Sequence, residues 1–321
     1  MGLVSCSSSQ QSAPTNSQTK TSDSTPSVRL PLVVVTTSVL CDLTEQLAQD
    51  TIELKCLVAP GEDPHVYQPK PEDRKAIDSA QLILYAGYNF DTSLIKLVKA
   101  SSNSVAKIAV HEVSVTKPLM GEEHEHEEEQ HNQGELVADP HVWHDANNGI
   151  AIVKTIATQL EKLVPKNATQ YQKNAKTITE ELSQIDNWIK SSIATIPVNR
   201  RKLVTTHDAL GYYVNAYSLS FAGALTGLSS EEAPTAAKVG ELVQEIKQAN
   251  VPTIFAETTI NPQLIGTVAK EANVKVSERT LYADGVGEKG TEGDSYQKLL
   301  VANTRTIVEG LGGKYTAFQP K

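Results

Sequence analysis

Cysteine is scarce in this chain, and the few cysteines present are unevenly placed. There are three, Cys6, Cys41 and Cys56, among 321 residues. Because the cysteines are few and unevenly spaced, they argue against a disulfide framework and against a zinc site built from cysteines. A helix packed on its neighbouring strands would bring Cys41 and Cys56 together. The sequence leaves two alternatives open for this pair, a disulfide or two buried free thiols.

Basic residues are too few to balance the acidic ones, and long apolar runs are missing. The chain has 29 Lys and Arg against 38 Asp and Glu, a net charge of −9. This argues against nucleic acid and an anionic membrane surface as partners, because both require a basic face, and it is compatible with a cationic ligand. No segment is long and apolar enough to span a bilayer. We expect a soluble, globular body with room for two domains.

The first residues match the pattern found at the C-terminal end of a lipoprotein signal peptide. Leu3-Val4-Ser5-Cys6 matches a bacterial lipoprotein cleavage site, after which Cys6 would be the lipidated first residue. The apolar segment that should precede it is missing, so we expect the signal peptide to be truncated in this chain. Residues 7–27 are mostly Ser, Thr, Gln, Asn and Pro and predict a flexible tether. Residues 1–29 thus predict a periplasmic or cell-surface protein, held to a membrane only by a lipid anchor at Cys6.

Strands and helices alternate along the rest of the chain, which is typical of a mostly parallel α/β sheet. Strands are predicted at residues 30–36, 52–58, 82–86, 105–110, 202–206, 253–257 and 274–276. Between the two halves, residues 168–193 predict one helix of roughly 35–40 Å, long enough to cross from one domain to another. We therefore predict an α/β lobe at residues 30–165, a linking helix at 166–195 and a second α/β lobe at 196–321.

One tetrapeptide, Asp-Pro-His-Val, occurs twice, at residues 63–66 and 139–142, and an aromatic residue follows each copy. The proline fixes its own φ and pushes the preceding Asp toward extended conformations. Each imidazole is therefore presented from a stiff turn rather than from a mobile loop. Such a presentation suits a metal ligand, and the repetition argues against two unrelated surface turns.

Two more candidate ligands follow predicted strands of the second lobe. His207 comes directly after the strand at 202–206, and Asp284 comes shortly after the strand at 274–276. His65 likewise follows a strand, and His141 lies in the loop that enters the helical linker. Ligands of open α/β sheets bind outside the carboxyl ends of the strands, so we expect two groups from each lobe to face a shared cleft. Three imidazoles and one carboxylate suit a borderline divalent ion, Zn²⁺ above all.

Four stretches together carry a resemblance to a known family. They are residues 63–69 (DPHVYQP), 139–143 (DPHVW), 205–212 (TTHDALGY) and 282–284 (YAD). The chain resembles the metal-specific solute-binding lipoproteins that deliver Zn²⁺ or Mn²⁺ to bacterial ABC importers. The resemblance implies two α/β lobes joined by one rigid helix, with the metal in the cleft between them. Its ligand positions match His65, His141, His207 and Asp284.

The same resemblance implies the cargo and the partners. Family members with His at the third ligand position are zinc proteins and those with Glu there are manganese proteins, so His207 indicates Zn²⁺ as the transported ion. We expect a monomer, not an enzyme, that hands the ion to an ABC transporter membrane permease. The alternative within the family is a Mn²⁺-binding member.

A short His- and Glu-rich loop at residues 121–133 predicts an accessory role. It places His124, His126 and His131 among glutamates, which can collect divalent ions weakly near the cleft, although such a run can also be only a solvated loop. Two other histidines, His111 and His144, are interpreted as half-exposed surface residues.

The rival interpretation from another class is a zinc metallohydrolase, because three histidines around zinc also describe a catalytic site with water in the fourth position. Coordination by Asp284 would close that position. The sequence also has no HExxH motif. A third rival, an adhesin, would need an apolar or basic partner surface that the sequence does not display.

Overall fold

The computed structural model describes residues 1–5, 29–123, 135–231 and 233–320. The predictions made for Cys6, for the tether and for His124, His126 and His131 lie outside the described residues. In the part that is described, no helix combines the length and the apolar character needed to cross a membrane.

The first lobe is built on a four-stranded parallel sheet. Its strands are β1 (Leu32–Val35), β2 (Glu53–Cys56), β3 (Leu82–Tyr85) and β4 (Ala106–Ala109), in the order β2-β1-β3-β4. Helices α1 (Ser38–Ala48), α2 (Pro71–Ser79) and α3 (Thr92–Ala100) connect these strands, and α4 (Val110–Ser114) follows the last one. β1 is central because its three consecutive valines, residues 33–35, are apolar on both faces and completely buried.

An antiparallel hairpin and a long helix complete the first lobe. The hairpin pairs β5 (Met120–Glu123) with β6 (Glu135–Ala138), and α5 (Ala146–Leu163) follows. Asp145 begins α5 by accepting a hydrogen bond from the amide of Asn147 at 2.8 Å. The sequence analysis did not predict the hairpin, because its strands flank the His- and Glu-rich stretch and have no apolar alternation.

The second lobe repeats the strand order of the first. Its strands are β7 (Lys202–His207), β8 (Ser220–Thr226), β9 (Thr253–Ile254) and β10 (Lys275–Val276). β7 pairs with β8 and β9 pairs with β10, all in parallel. The amide of Phe255 donates to the carbonyl of Val204 at 3.0 Å, which joins the two pairs in the order β8-β7-β9-β10. The helices of this lobe are α7 (Gly211–Ala216), α8 (Ala236–Ala249), α9 (Gln263–Ala272) and α10 (Tyr296–Gly310).

Strand β8 is a further element that the sequence analysis missed. Gly223 interrupts it with a φ of +135°, close to the point where the register with β7 shifts. A Cβ at this position would lie 2.6 Å from Cδ1 of Leu242 on α8, so the close packing of helix on strand requires glycine. A glycine within a short run of small residues hides the strand from a search for apolar or alternating runs.

Helix α6 (Ala168–Ile193) lies between the two lobes in the sequence and packs on both. It contacts α1 and α5 of the first lobe and α10 of the second. Its 26 residues correspond to about 39 Å at 1.5 Å per residue. Its buried face includes Ile178, Leu182 and Ile185, which join one continuous core with residues of both lobes. The predicted fold class, two α/β lobes joined by one long helix, is confirmed.

The structure joins Cys41 of α1 to Cys56 of β2 as a disulfide. The two Cα atoms are 5.8 Å apart, a separation that a disulfide spans without backbone movement. Of the two alternatives that the sequence left open, the described structure contains the bonded pair.

Candidate metal centre

The four predicted ligands all lie where chain segments end at the cleft. His207 is the last residue of β7, and His65 follows β2 in the loop that leads to α2. His141 directly precedes a short 3₁₀ turn before α5, and Asp284 lies in the loop that leads to α10. The first lobe thus contributes His65 and His141, and the second contributes His207 and Asp284. The structure brings together all four residues that the sequence singled out.

The four side chains converge on one point. Asp284 Oδ1 lies 3.1 Å from His207 Nε2 and 3.6 Å from Nε2 of both His65 and His141. The Nε2 atoms of His65 and His141 are 3.3 Å apart. One ligand atom from each residue lies within 4.8 Å of all the others. Among the described residues this is the one group of three or more His, Cys, Asp or Glu close enough to hold a metal ion.

The cluster is shielded from water by aromatic rings. His65 is 9% exposed, while the other three residues are at most 1% exposed. The ring of Phe90 meets His65 edge-on at a centroid distance of 4.8 Å and His141 at 5.4 Å, and the ring of Trp143 also lies 5.4 Å from that of His141. A charged ligand held here would be largely removed from solvent, which strengthens its interactions with the four side chains.

The repeated Asp-Pro-His motif has the same backbone role in both copies. Asp63 Oδ1 accepts a hydrogen bond from the amide of His65 at 2.9 Å, and Asp139 Oδ1 accepts one from the amide of His141 at 2.9 Å. Each aspartate therefore closes a tight turn that fixes the histidine two residues later. The copies differ beyond the turn. Asp139 Oδ1 also lies 2.9 Å from Nδ1 of His141, whereas Asp63 Oδ2 accepts from the hydroxyl of Ser230 across the cleft at 2.5 Å.

Two further residues orient the ligands of the second lobe. Glu257 Oε2 bonds Nδ1 of His207, while Glu257 Oε1 accepts from the amides of Thr206 and His207 at 2.9 and 3.0 Å. The hydroxyl of Thr259 donates to Asp284 Oδ2 at 3.0 Å. These contacts turn Nε2 of His207 and Oδ1 of Asp284 toward the centre of the cluster.

Sequence reasoning did not identify Glu257 and Thr259 as part of the site. A signal was present for Glu257, which stands at the end of the strand predicted at residues 253–257. Parallel neighbouring strands end at the same edge of a sheet, so this carboxylate was placed to meet His207. For Thr259 the sequence contains no comparable signal.

Burial and neighbouring charges shift the pKa of all four proposed ligands. Burial lowers the pKa of His207, but the carboxylates of Asp284 and Glu257 outweigh it and hold the pKa well above its usual value. Burial also lowers the pKa of His141, and hydrogen bonds to Asp139 and Asp284 reverse the shift. For His65 burial dominates and the pKa is lowered. Burial would raise the pKa of Asp284, but the charge of His207 and hydrogen bonds from the histidines hold it well below its usual value. Such a site can release protons in exchange for a cation.

His111 and His144 are completely buried, so the interpretation of both as half-exposed surface residues is wrong. His144 Nε2 donates to the carbonyl of Ala283 at 2.8 Å and so supports the residue before Asp284. His111 stacks near Trp143 at a centroid distance of 5.4 Å. Burial lowers the pKa of both imidazoles to about 3, which keeps them neutral at physiological pH. A single histidine after a predicted strand or turn does not reveal which distant residues cover it: Phe90 and Trp143 pack on His111, and Ala283 of the second lobe meets His144.

A cavity of about 470 Å³ opens beside the cluster on the side of the β5–β6 hairpin. His65 lines its inner end, and the carboxylates of Glu112 and Glu231 line it farther out. Met120 and Leu136 of the hairpin form part of its wall. Of the four residues of the cluster, His65 alone lines this cavity.

Two α/β lobes with the same strand order, joined by one long helix around a buried cluster, define the class of two-lobed solute-binding proteins. The sequence profile of one family matches residues 33–310. The chain belongs to this family, zinc-uptake complex component A, periplasmic (ZnuA). Members of the family are substrate-binding proteins of ABC transporters and not enzymes, as the sequence analysis predicted.

Curated relatives match most of the chain. The metal ABC transporter substrate-binding lipoprotein FimA of Streptococcus parasanguinis is 35% identical over 283 residues, 87% of this chain and 88% of its own length. The manganese ABC transporter substrate-binding lipoprotein PsaA of Streptococcus pneumoniae is 33% identical over 314 residues, 97% of this chain and 94% of its own length. The predicted family resemblance is confirmed by both.

Solved structures share the fold. The periplasmic zinc binding protein TroA from Treponema pallidum superposes with a TM-score of 0.79 at 29% identity, covering 88% of this chain and 99% of its own. The Mn-bound periplasmic metal binding protein from Candidatus Liberibacter asiaticus superposes with a TM-score of 0.72 at 23% identity, a likeness of fold. Relatives named for zinc and relatives named for manganese thus both occur.

Proposed function

We propose that the chain captures Zn²⁺ outside the cytoplasm and delivers it to the membrane permease of an ABC importer. His65, His141, His207 and Asp284 are the proposed ligands, and Zn²⁺ is the transported cargo. The observation that carries the proposal is the convergence of three Nε2 atoms and one carboxylate oxygen within 4.8 Å of one another, buried between the lobes. In this proposal residues 30–165 and 196–321 are the two lobes, and residues 166–195 are the linking helix.

The spacing of the four ligand atoms favours a tetrahedral ion. Zinc bonds to nitrogen and oxygen measure about 2.0–2.2 Å, so the edges of a tetrahedron around zinc measure roughly 3.3–3.6 Å. The measured separations that link Asp284 to the three histidines, 3.1 to 3.6 Å, cluster around that range. All four ligand atoms lie within 4.8 Å of one another, so the wider separations would have to shorten by up to roughly 1 Å around a zinc ion.

The number of available donors also favours zinc over manganese. The hydroxyl of Thr259 donates to Oδ2 of Asp284, and Oδ1 is the oxygen that faces the three histidines. Both oxygens of Glu257 are taken by His207 and its neighbouring amide, so Glu257 is not free to be a fifth ligand. Four donors of which three are nitrogen suit Zn²⁺, whereas Mn²⁺ prefers more ligands and more oxygen. The Mn²⁺-binding alternative keeps one support, the manganese names of several relatives.

A set of four protein ligands also disfavours a metallohydrolase. A catalytic zinc site keeps one position for water, with three protein ligands. If Asp284 Oδ1 is the fourth ligand of a tetrahedral ion, no coordination position remains for an activated water. The aromatic shield over His65 and His141 further restricts access of a bulky substrate.

Metal analysis tests this proposal directly. Protein purified without added metal is analysed for bound elements, and Zn²⁺ and Mn²⁺ then compete for the metal-free form in the presence of a zinc-sensitive dye. We expect one tight site per chain with Zn²⁺ preferred. His141→Ala should weaken zinc binding by more than roughly 100-fold, since even residues that only support a ligand contribute about 10–100-fold. His111→Leu, which removes a buried histidine outside the cluster, is the matched control. Equal zinc affinity of His141→Ala and wild type would refute the proposed site.

The proposed location follows from the N-terminal sequence and from the relatives. Residues 3–6 match a lipoprotein cleavage site, and FimA and PsaA are named lipoproteins. We propose that Cys6 carries the lipid anchor and that the chain acts as a monomer in the periplasm or on the cell surface. Mass spectrometry of the mature N-terminus from native membranes tests the anchor. An unmodified Cys6 would rule it out.

A further inference from the structure

An ion held by the four proposed ligands can leave only if part of the structure around it moves. Three of the ligands are at most 1% exposed, and His65 is 9% exposed. His65 is also the one ligand that lines the 470 Å³ cavity beside the hairpin. The segment that carries His65 is therefore the part of the cover that faces open space.

The segment around His141 also belongs to the first lobe, but buried hydrogen bonds hold it to the second. Four such bonds join Tyr212 to Asp139, Tyr296 to Trp143, Ala283 to His144 and Tyr217 to Ala146. Their lengths run from 2.6 to 3.2 Å. Separating them is unfavourable, because each break leaves a buried donor and acceptor without a partner. We therefore expect His141 to stay with His207 and Asp284 when the cover moves.

The segment around His65, in the loop between β2 and α2, is held to the second lobe by fewer bonds. The amide of Gly61 donates to the carbonyl of Val286 at 3.0 Å, and the hydroxyl of Ser230 donates to Asp63 Oδ2 at 2.5 Å. The second bond is only partly buried. Asp63 Oδ1 meanwhile accepts from the amide of His65 at 2.9 Å. One carboxylate thus fixes the turn of His65 and bonds the opposite lobe.

We propose that Ser230 retains the bound ion by holding Asp63, and with it His65, against the second lobe. This inference rests on the proposed function, since it requires an ion in the cleft. The bond between Ser230 and Asp63 forms only when the lobes are together, so it stabilises the closed state relative to an open one. Within the described structure Ser230 has no recorded hydrogen bond to a proposed ligand. It is a positioning residue that sets how long the ion stays, not which ion binds.

The rate of metal release tests the inference. The full chain, loaded with one equivalent of Zn²⁺, is mixed rapidly with an excess of a chelating dye. Ser230→Ala should release Zn²⁺ roughly tenfold faster than wild type, because the closed state loses a hydrogen bond to a charged group. Association of Zn²⁺ with the metal-free protein should change much less, since the bond forms after the ion has entered. Ser230→Thr keeps the hydroxyl and should release Zn²⁺ at close to the wild-type rate.

Ser229→Ala is the matched control, because the hydroxyl of Ser229 accepts from the amide of Glu231 at 3.2 Å within its own loop. An unchanged release rate in Ser230→Ala, or equal acceleration in Ser229→Ala, would overturn the inference.

Release of Mn²⁺, measured in the same way, separates this inference from the proposed function. Ser230→Ala should speed the release of Mn²⁺ by the same factor as that of Zn²⁺, because the hydroxyl of Ser230 bonds Asp63 and not a proposed ligand. A wild-type protein that retains Mn²⁺ more tightly than Zn²⁺ would refute the zinc assignment, and faster Mn²⁺ release from Ser230→Ala would still support the role of Ser230. Acceleration for one ion alone would contradict it.

Discussion

Glu257 bonds Nδ1 of His207 through one carboxylate oxygen and two backbone amides through the other. Glu257, three residues beyond β9, thereby holds the residue that ends β7, the neighbouring strand. Because Nδ1 is engaged, Nε2 is the nitrogen of His207 that faces Asp284 and the histidines of the first lobe. Glu257 touches none of the other proposed ligands through a hydrogen bond that the structure records, so its effect on the site is exerted through His207.

Glu257→Gln should lower zinc affinity by about 10–100-fold, the usual cost of losing a partner that orients a metal ligand. The amide has one oxygen, which the two backbone amides keep, and its NH₂ group cannot accept the proton on Nδ1 of His207. Competition with a zinc-sensitive dye measures the change. Glu112→Gln is the matched control, because Glu112 lines the 470 Å³ cavity beside the hairpin and its carboxylate accepts a hydrogen bond from the amide of Tyr88, away from the proposed ligands. Unchanged affinity in Glu257→Gln would mean that the orientation of His207 does not depend on this carboxylate.

Replacing His207 should change the choice of metal. His207→Ala removes a nitrogen donor and should weaken zinc binding strongly, since water must take the vacated position. His207→Glu should still prefer Zn²⁺ in absolute terms, because Mn²⁺ is lowest in the order of divalent affinities, but the ratio of Zn²⁺ to Mn²⁺ affinity should fall. Parallel titrations with both ions at one pH give the ratio. A ratio equal to that of wild type would remove His207 from the proposed ligand set.

Buried His111 should make the metal-free protein sensitive to acid. The pKa of His111 is lowered from 6.5 to about 3 by burial and by the charge of His141, so the unfolded chain binds a proton below pH 6.5 that the folded chain does not. The free energy of unfolding should therefore fall by about 1.4 kcal/mol for each pH unit below 6.5, until the pH approaches 3. Above pH 6.5 this residue should have no effect on the pH dependence.

Urea unfolding of metal-free wild type and His111→Leu at pH 7.5 and pH 5.0 measures the effect. The loss of stability between the two pH values should be smaller in the variant by about 2 kcal/mol, which is the slope multiplied by the distance from 6.5. His144 also has a pKa of about 3 and contributes the same dependence in both proteins. Equal losses in wild type and variant would show that His111 is not held neutral by burial.

The disulfide between Cys41 and Cys56 should stabilise the first lobe. It closes a loop with a sequence separation of 15 residues. Because closing such a loop lowers the entropy of the unfolded chain, the disulfide should raise the free energy of unfolding by about 3 kcal/mol. The double variant Cys41→Ala, Cys56→Ala should therefore unfold at a lower urea concentration than oxidised wild type. A reducing agent should destabilise wild type and leave the variant unchanged. Detection of two free thiols in denatured native protein would contradict the pairing.

The His- and Glu-rich stretch should add weak sites without contributing to the tight one. Replacing residues 124–134 by a short turn that keeps β5 and β6 paired removes three histidines and several glutamates. Calorimetric titration with Zn²⁺ should then show the tight site intact and fewer weak ones. Loss of the tight site would mean that one of its ligands lies in this stretch.

The strand predictions succeeded where the sequence contains continuous apolar runs. Residues 33–35 are buried on both faces, and the prediction placed a strand there that the structure confirms at Leu32–Val35. The prediction failed at β8, where Gly223 and small neighbours leave no apolar run, and at the β5–β6 hairpin. In both cases contacts with other elements, such as Leu242 on α8, stabilise a strand that the local sequence does not favour.

The sequence by itself determined the four candidate ligands, because the Asp-Pro-His turns and the strand-end positions of His207 and Asp284 are local features. It also determined the alternation of strands and helices that defines two lobes. Only the tertiary structure decided which side chains support the ligands, since Glu257 meets His207 across 50 residues and Thr259 meets Asp284 from another loop. It also decided that His111 and His144 are buried. Burial and orientation depend on contacts between residues far apart in the sequence, within each lobe and between the lobes, and such contacts are not encoded within any single stretch of the chain.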